Sequence, residues 1–163
     1  LWSRGLGDVY KRQMRALILA GQRGARIDLI VRGACMLAPQ VPGVTDNIRV
    51  RSVIGRFLEH TRVFYFRAGG EEDLYLSSAD WMNRNMMRRV ELAWPVTDPK
   101  LRQQIIDECL VAYLCDDRDA WTLNAAGVYD RAVHPVDGSG AQNALMVRYG
   151  PRPALGREEP GVA

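Results

Sequence analysis

Five residues constrain this chain more than any others. "IDLIV", residues 27–31, is a β-branched run of strand length. Such a run predicts a strand buried on both faces, at the centre of a sheet. Directly before it, "MRALILAGQRGAR" reads as a short helix, with Gly24 placed to cap its C-terminus. A short helix running straight into a buried strand is half of a βαβ unit. The expected fold class is therefore α/β.

The rest of the chain fills in around that unit. "APQVPGVTDN" holds Pro39, Pro42 and Gly43 and must be a loop. "IRVRSVIG" sets Ile48, Val50 and Ser52 against Arg49, Arg51 and Val53, the alternation of an extended segment. "RFLEH" reads as one turn or bend. "RVFYF", a turn "AGGEED" and "LYLSSA" form a hairpin. "WMNRNMM" is irregular, and "RRVELAWPV" is a further strand ended by Pro95. The clearest helix is "TDPKLRQQIIDECLVAYLC". Thr97 or Asp98 caps it, Pro99 fits its first turn, and Leu101, Ile105, Ile106, Cys109, Leu110 and Tyr113 make an apolar stripe. From Pro135 onward Pro, Gly and Ala dominate, and a loose, disordered tail is expected.

A chain of 163 residues can bury one real core. Its 47% hydrophobic and 25% charged residues are ordinary for a globular domain. No apolar run approaches the ~18 residues that would span a bilayer, and no segment reads as a signal peptide. Cys35, Cys109 and Cys115 lack metal-type spacing and read as buried free thiols of a reducing compartment.

"DVYKRQ", residues 8–13, matches what a common sequencing-library adapter encodes in frame. Residues 1–13 are therefore expected to be a scar of assembly, 14–134 the domain proper, and 135–163 the loose tail. The chain is expected to be a fragment of something longer. The scar carries Arg4, Lys11 and Arg12 against Asp8, most of the formal +3 charge. What remains is close to neutral, so global charge makes no case for nucleic acid. The 22 basic residues include only two lysines, Lys11 and Lys100. Coding bias produces such a preference, and so does a need for planar forks that grip phosphate.

Open α/β sheets bind ligands at strand ends. Three strand ends here carry groups able to hold an anion: Arg32 after "IDLIV", His60 before "RVFYF", and Arg88 with Arg89 opening "RRVEL". Arg forks and a protonated imidazole are the fixed donors that phosphate needs. Plainer readings stand beside these. A lone histidine ordinarily makes one ordinary hydrogen bond. Arg32 fits a strand-end ion pair, and Arg88 with Arg89 a solvated pair beside Glu91. "SSAD" fits a strand terminator, Trp81 and Met82 fit packing, and His134 has no assigned role. From residues alone the reading is an α/β domain with a candidate phosphate site, and little more.

The longer motifs go further. "IDLIVRGACML", "PGVTDNIRVRSVIGRFLEHTRVFYF", "LYLSSADWMNRN" and "RRVELAWPV" resemble, in order, the C-terminal part of the long, histidine-phosphorylating class of polyphosphate kinase. "DGSGAQNALM" echoes it more weakly. The resemblance implies a phospholipase D-like domain, with a mixed sheet flanked by helices. It implies reversible transfer of the terminal phosphate of ATP to polyphosphate, with Mg²⁺ held by upstream residues. His60 in "FLEHTR" matches the second active-site histidine. Arg32 in "VRG" and Arg89 in "RRVE" match arginines that contact the nucleotide phosphates. The implied partners are ATP or ADP, polyphosphate, the upstream catalytic domain that bears the phosphorylated histidine, and further copies in a homo-oligomer. The implied location is cytoplasmic, or membrane-associated as the full-length enzyme. The isolated fragment is expected to be inactive.

One departure matters. A phospholipase D motif has Lys two residues after its His, where this chain has Arg62, and an Asp soon after, where the first is Asp73. That argues against the rival reading of a phospholipase D-like phosphodiesterase. A third reading is a non-catalytic module that binds polyphosphate or another anion.

Overall fold

The computed structural model describes residues 2–4, 11–81, 85, 88–131, 138 and 140–150. Among them, eight strands form one mixed sheet in the order β6-β5-β4-β1-β2-β3-β7-β8. Its centre is parallel: β1 (Trp2–Arg4), β2 (Ile27–Val31) and β3 (Ile48–Val53) run the same way. Helix α1 (Lys11–Gln22) runs into β2 as expected and joins it to β1, a strand the sequence reading did not place, completing a βαβ unit. All five residues of β2 are buried. Gly24 sits just past α1 at φ +94°, the left-handed cap conformation that glycine adopts without strain. Strand β1 lies within the stretch that resembles an adapter translation, and Lys11, Arg12 and Gln13 open α1.

The hairpin β4 (Val63–Ala68) and β5 (Glu71–Ser77) extends the sheet on one side. Its turn is only Gly69-Gly70, shorter than "AGGEED", because both glycines take positive φ, +61° and +89°. That pair of angles matches the natural strand twist, so pairing continues to the turn and Glu71, Glu72 and Asp73 join the strand. The strand expected over "RRVELAWPV" shrinks to β6 (Ala93–Pro95) at the sheet edge. Residues 88–92 lie outside it and Val90 is 98% exposed. An edge strand tolerates Pro95, which has no N–H to donate.

Helix α2 (Pro99–Ile105) starts as expected, with the Asp98 carboxylate accepting from the backbone N–H of Lys100 and Leu101. It continues as a π-helical stretch (Ile106–Val111) and a last turn, α3 (Ala112–Leu114). Ile106, Leu110 and Tyr113 face the core, whereas Leu101, the first member of the predicted stripe, is 55% exposed. Strands β7 (Ala120–Leu123) and β8 (Tyr129–Arg131) follow, β7 antiparallel to β3 and β8 antiparallel to β7. Residues 141–149 correct the expectation of a loose tail, for they form helix α4 (Ala141–Tyr149). The tail from residue 151 on lies outside the described residues, as does most of "WMNRNMM".

The sheet carries a core on each face. Leu17 of α1 packs with Ile27, Leu29, Val31, Ile48, Val50 and Phe64 on one side. Ile106, Leu110, Tyr113 and Ala141 pack with Ile30, Val53, Val63 and Tyr65 on the other. The cysteines are not the buried thiols expected: Cys35 and Cys109 are half-buried and Cys115 is exposed. They lie at the margins of the layers and not inside them. No helix among the described residues is long and apolar enough to cross a membrane.

A buried carboxylate fastens the second core. Asp116, 2% exposed, accepts from the backbone N–H of Arg118 (3.0 Å), Asp119 (2.8 Å) and Ala141 (2.7 Å). Asp116→Ala should therefore cost about 2 kcal/mol, since each stranded buried donor loses ~1–3 kcal/mol and some regain water. Urea unfolding checks this. A change below about 0.5 kcal/mol would mean the three amides find other partners.

Candidate phosphate-binding site

Strand direction decides which ends meet. β4 runs opposite to β1, with Arg4 level with both Ile30 and Val63. The residues just after β2 and just before β4 therefore share one end of the sheet. β5 ends there too, since the Ser77 N–H donates to the Arg62 carbonyl at 3.1 Å. The approach to β6 joins them, because Ser78 and Leu92 bond through their backbones at 3.0 Å. This places Arg32, His60 and Arg62, Ser77 to Asp80, and the stretch 88–92 around one rim. It is the carboxyl end of β2, where ligands of α/β sheets bind.

Side chains tie this rim together. Arg32 Nη1 donates to the carbonyl of Glu59 at 2.6 Å. Arg62 Nη1 donates to the carbonyl of His60 at 2.9 Å, while its Nε pairs with Asp80 Oδ1 at 2.8 Å. The Tyr113 hydroxyl donates to Glu59 Oε1. Ser78 Oγ accepts from Leu92 N (3.0 Å) and donates to Glu91 Oε2 (2.5 Å). Arg32 and His60, 28 positions apart in sequence, are thus neighbours through Glu59, and both are exposed to solvent. Arg88 and Arg89 are exposed as well, Arg88 with helical backbone and Arg89 in the bend before β6, neither in a strand.

The other arginines around His60 have structural work. Arg51 Nη1 donates to the carbonyls of Leu114 (2.5 Å) and Asp116 (2.6 Å), where a helix end leaves acceptors unpaired. Arg56 lies over the Phe57 ring, 5.5 Å from its centroid. Trp81 is packing, as expected, stacked on Phe64 at 5.1 Å. Met82 lies outside the described residues.

Three contributors were not legible as such. Asp80 reads as a strand terminator but anchors Arg62. Tyr113 reads as core but also holds Glu59. Tyr129 accepts from Cys35 N (2.9 Å) and donates to the Gly33 carbonyl (3.2 Å), so β8 shapes the turn that follows Arg32. Burial pushes the Tyr129 phenol above its ordinary value, opposed by the bond from the Cys35 N–H. The stability it lends is complete below the unfolded value near ~10. It falls as pH rises through the raised folded value.

Magnesium does not fit the residues present. Among the described residues, no group of three or more His, Cys, Asp or Glu is placed to hold a metal ion. The rim carboxylates are already engaged, Glu59 by Tyr113, Asp80 by Arg62 and Glu91 by Ser78.

Residues 9–143 match the family described as "Polyphosphate kinase C-terminal domain 2". The chain belongs to that family. It is 50% identical over 134 residues to polyphosphate kinase of Burkholderia cenocepacia (strain HI2424), covering 82% of this chain and 20% of that protein. Polyphosphate kinase of Xylella fastidiosa (strain Temecula1) is 48% identical over 135 residues, covering 82% and 19%. The crystal structure of polyphosphate kinase from Porphyromonas gingivalis superposes with TM-score 0.79 at 38% identity, over 91% of this chain and 23% of that one. The chain thus spans about a fifth of the length of the curated relatives it matches. The fold and family expected from the motifs are both borne out.

Proposed function

We propose that this polyphosphate kinase domain holds the phosphate chain during reversible transfer between ATP and polyphosphate. The observation that supports the reading is the bond from Arg32 to the carbonyl of Glu59, the residue before His60, at the carboxyl end of β2. Arg32 and Arg89 clamp non-bridging oxygens, where guanidinium forks neutralise charge and fix orientation. His60 donates to the transferring phosphoryl group, or gives its proton to the departing oxygen as the phosphorus–oxygen bond breaks. The attacking histidine and the magnesium ligands come from an upstream catalytic domain, and the complete enzyme is a cytoplasmic homo-oligomer.

The site's own bonding disfavours a phospholipase D-like hydrolase. At the position where that motif needs a lysine, the Arg62 guanidinium is engaged by Asp80 and by the His60 carbonyl.

Titration calorimetry of this chain with tripolyphosphate tests the reading. Arg32→Ala should weaken binding about tenfold, the worth of one charge-assisted hydrogen bond. Equal affinity of the variant and the parent chain at matched salt would remove Arg32 from the site.

A further inference from the structure

Residues 54–62 carry His60 and belong to no strand or helix. A segment of this kind must find backbone partners elsewhere in the fold. Arg32 takes the Glu59 carbonyl and Arg62 takes that of His60. The remaining tie is of a different kind. Gln142, in the first turn of α4, accepts from the Phe57 N–H at 2.8 Å and donates to the Phe57 carbonyl at 2.9 Å. One side-chain amide thus satisfies both backbone groups of a loop residue, as a neighbouring strand would. Gln142 is 7% exposed, and its neighbour Ala141 is pinned by Asp116. Gly55 lies so close that a β-carbon there would come within 2.4 Å of Gln142 Oε1.

We infer that Gln142 is a positioning residue for His60, and that α4 latches the histidine loop through it. This deepens the phosphate-site reading and rests on it. The amide is uncharged and bonded to Phe57, three residues before His60. Its influence on a bound phosphate chain runs through loop geometry. Donors fixed before the ligand arrives need no ordering when it binds. Among the described residues, the loop is also held before His60 by Ile54, whose N–H donates to the Asp119 carbonyl at 3.1 Å, and by Glu59.

Two variants break the latch from opposite sides. Gln142→Met keeps the side-chain length and removes the amide. Gly55→Ala changes no residue of α4 and pushes the Gln142 amide away from the loop side. A third, Tyr149→Phe, serves as the control. It deletes the bond from the Tyr149 hydroxyl to Glu108 at the far end of α4, loosening the helix without touching the loop. With only two histidines in the chain, the ring signals of His60 are readily assigned by NMR.

Gln142→Met and Gly55→Ala should each shift the His60 ring signals. Each should lower Phe57 amide protection at least tenfold and weaken tripolyphosphate binding about tenfold, the scale of one lost hydrogen-bonded tie. Tyr149→Phe should change none of these. Unchanged His60 signals and affinity in both latch variants overturn the inference, as does an equal effect of Tyr149→Phe. If Gln142→Met fails to fold, Gly55→Ala decides alone. If the parent chain binds no tripolyphosphate, the phosphate reading falls. The His60 signals and Phe57 exchange then still decide the latch by themselves.

Discussion

Replacing His60 with alanine should abolish most polyphosphate synthesis once the domain sits in a complete enzyme. The construction is a chimera in which this chain replaces the matching fifth of the Burkholderia cenocepacia relative. A positioned acid or donor contributes ~10²–10⁴-fold to such a transfer, so a loss of at least ~100-fold is expected in ATP-dependent chain growth. His60 is exposed and belongs to neither core cluster, so the variant should fold normally. His60→Gln separates the two roles. A glutamine amide still donates a hydrogen bond but cannot release its proton to a leaving oxygen. Substantial recovery by glutamine would identify a donor, and none would identify an acid. Synthesis within about threefold of the parent chimera in His60→Ala would remove the histidine from the chemistry.

Arg62→Ala should be the most destabilising single change at the rim. Arg62 and Asp80 are 14% and 21% exposed at the side chain, with a 2.8 Å bond between them. Removing one partner of a buried pair costs ~3–5 kcal/mol, because the other charge is left without compensation. Partial exposure admits some water, so about 3 kcal/mol is expected here. The His60 carbonyl also loses its donor. Arg62→Lys keeps a charge for Asp80 but lacks the rigid fork that serves two acceptors at once. It should recover part of the stability and little of the phosphate affinity. Urea unfolding of Arg62→Ala, Asp80→Ala and the double variant gives the coupling directly. The double variant should cost at least ~1 kcal/mol less than the two singles combined. Strict additivity would show that the pair does not act as a unit.

Local chemistry made some of this fold legible. "IDLIV" is apolar at nearly every position, and only a central strand hides both faces of such a run. Gly69-Gly70 marked the hairpin, although the turn is tighter than expected, since two positive φ angles let pairing run to its edge. Asp98-Pro99 marked the start of α2 for the capping reason, and Asp98 does cap it. The failures share a cause. β6 is a three-residue edge strand in a run that reads as strand throughout, and only the backbone of β5 shows where pairing stops. α4 is not evident from its own residues, because its order comes from Asp116 and Phe57, not from a strong helical pattern.

The sequence by itself determined the α/β class, the helix-into-strand half of the βαβ centre, the family, and which residues deserved attention at the strand ends. Those features depend on short-range periodicity or on long ordered motifs. Only the tertiary structure decided which groups of the chain Arg32, Arg51, Arg62 and Gln142 meet. Arg32 reaches a carbonyl 27 residues away, Arg62 a carboxylate 18 away, Arg51 carbonyls up to 65 away, and Gln142 a loop 85 away. A guanidinium looks the same in sequence whether it grips phosphate, a carboxylate or a helix end. Its role is set by which acceptor the folded chain brings within 3 Å.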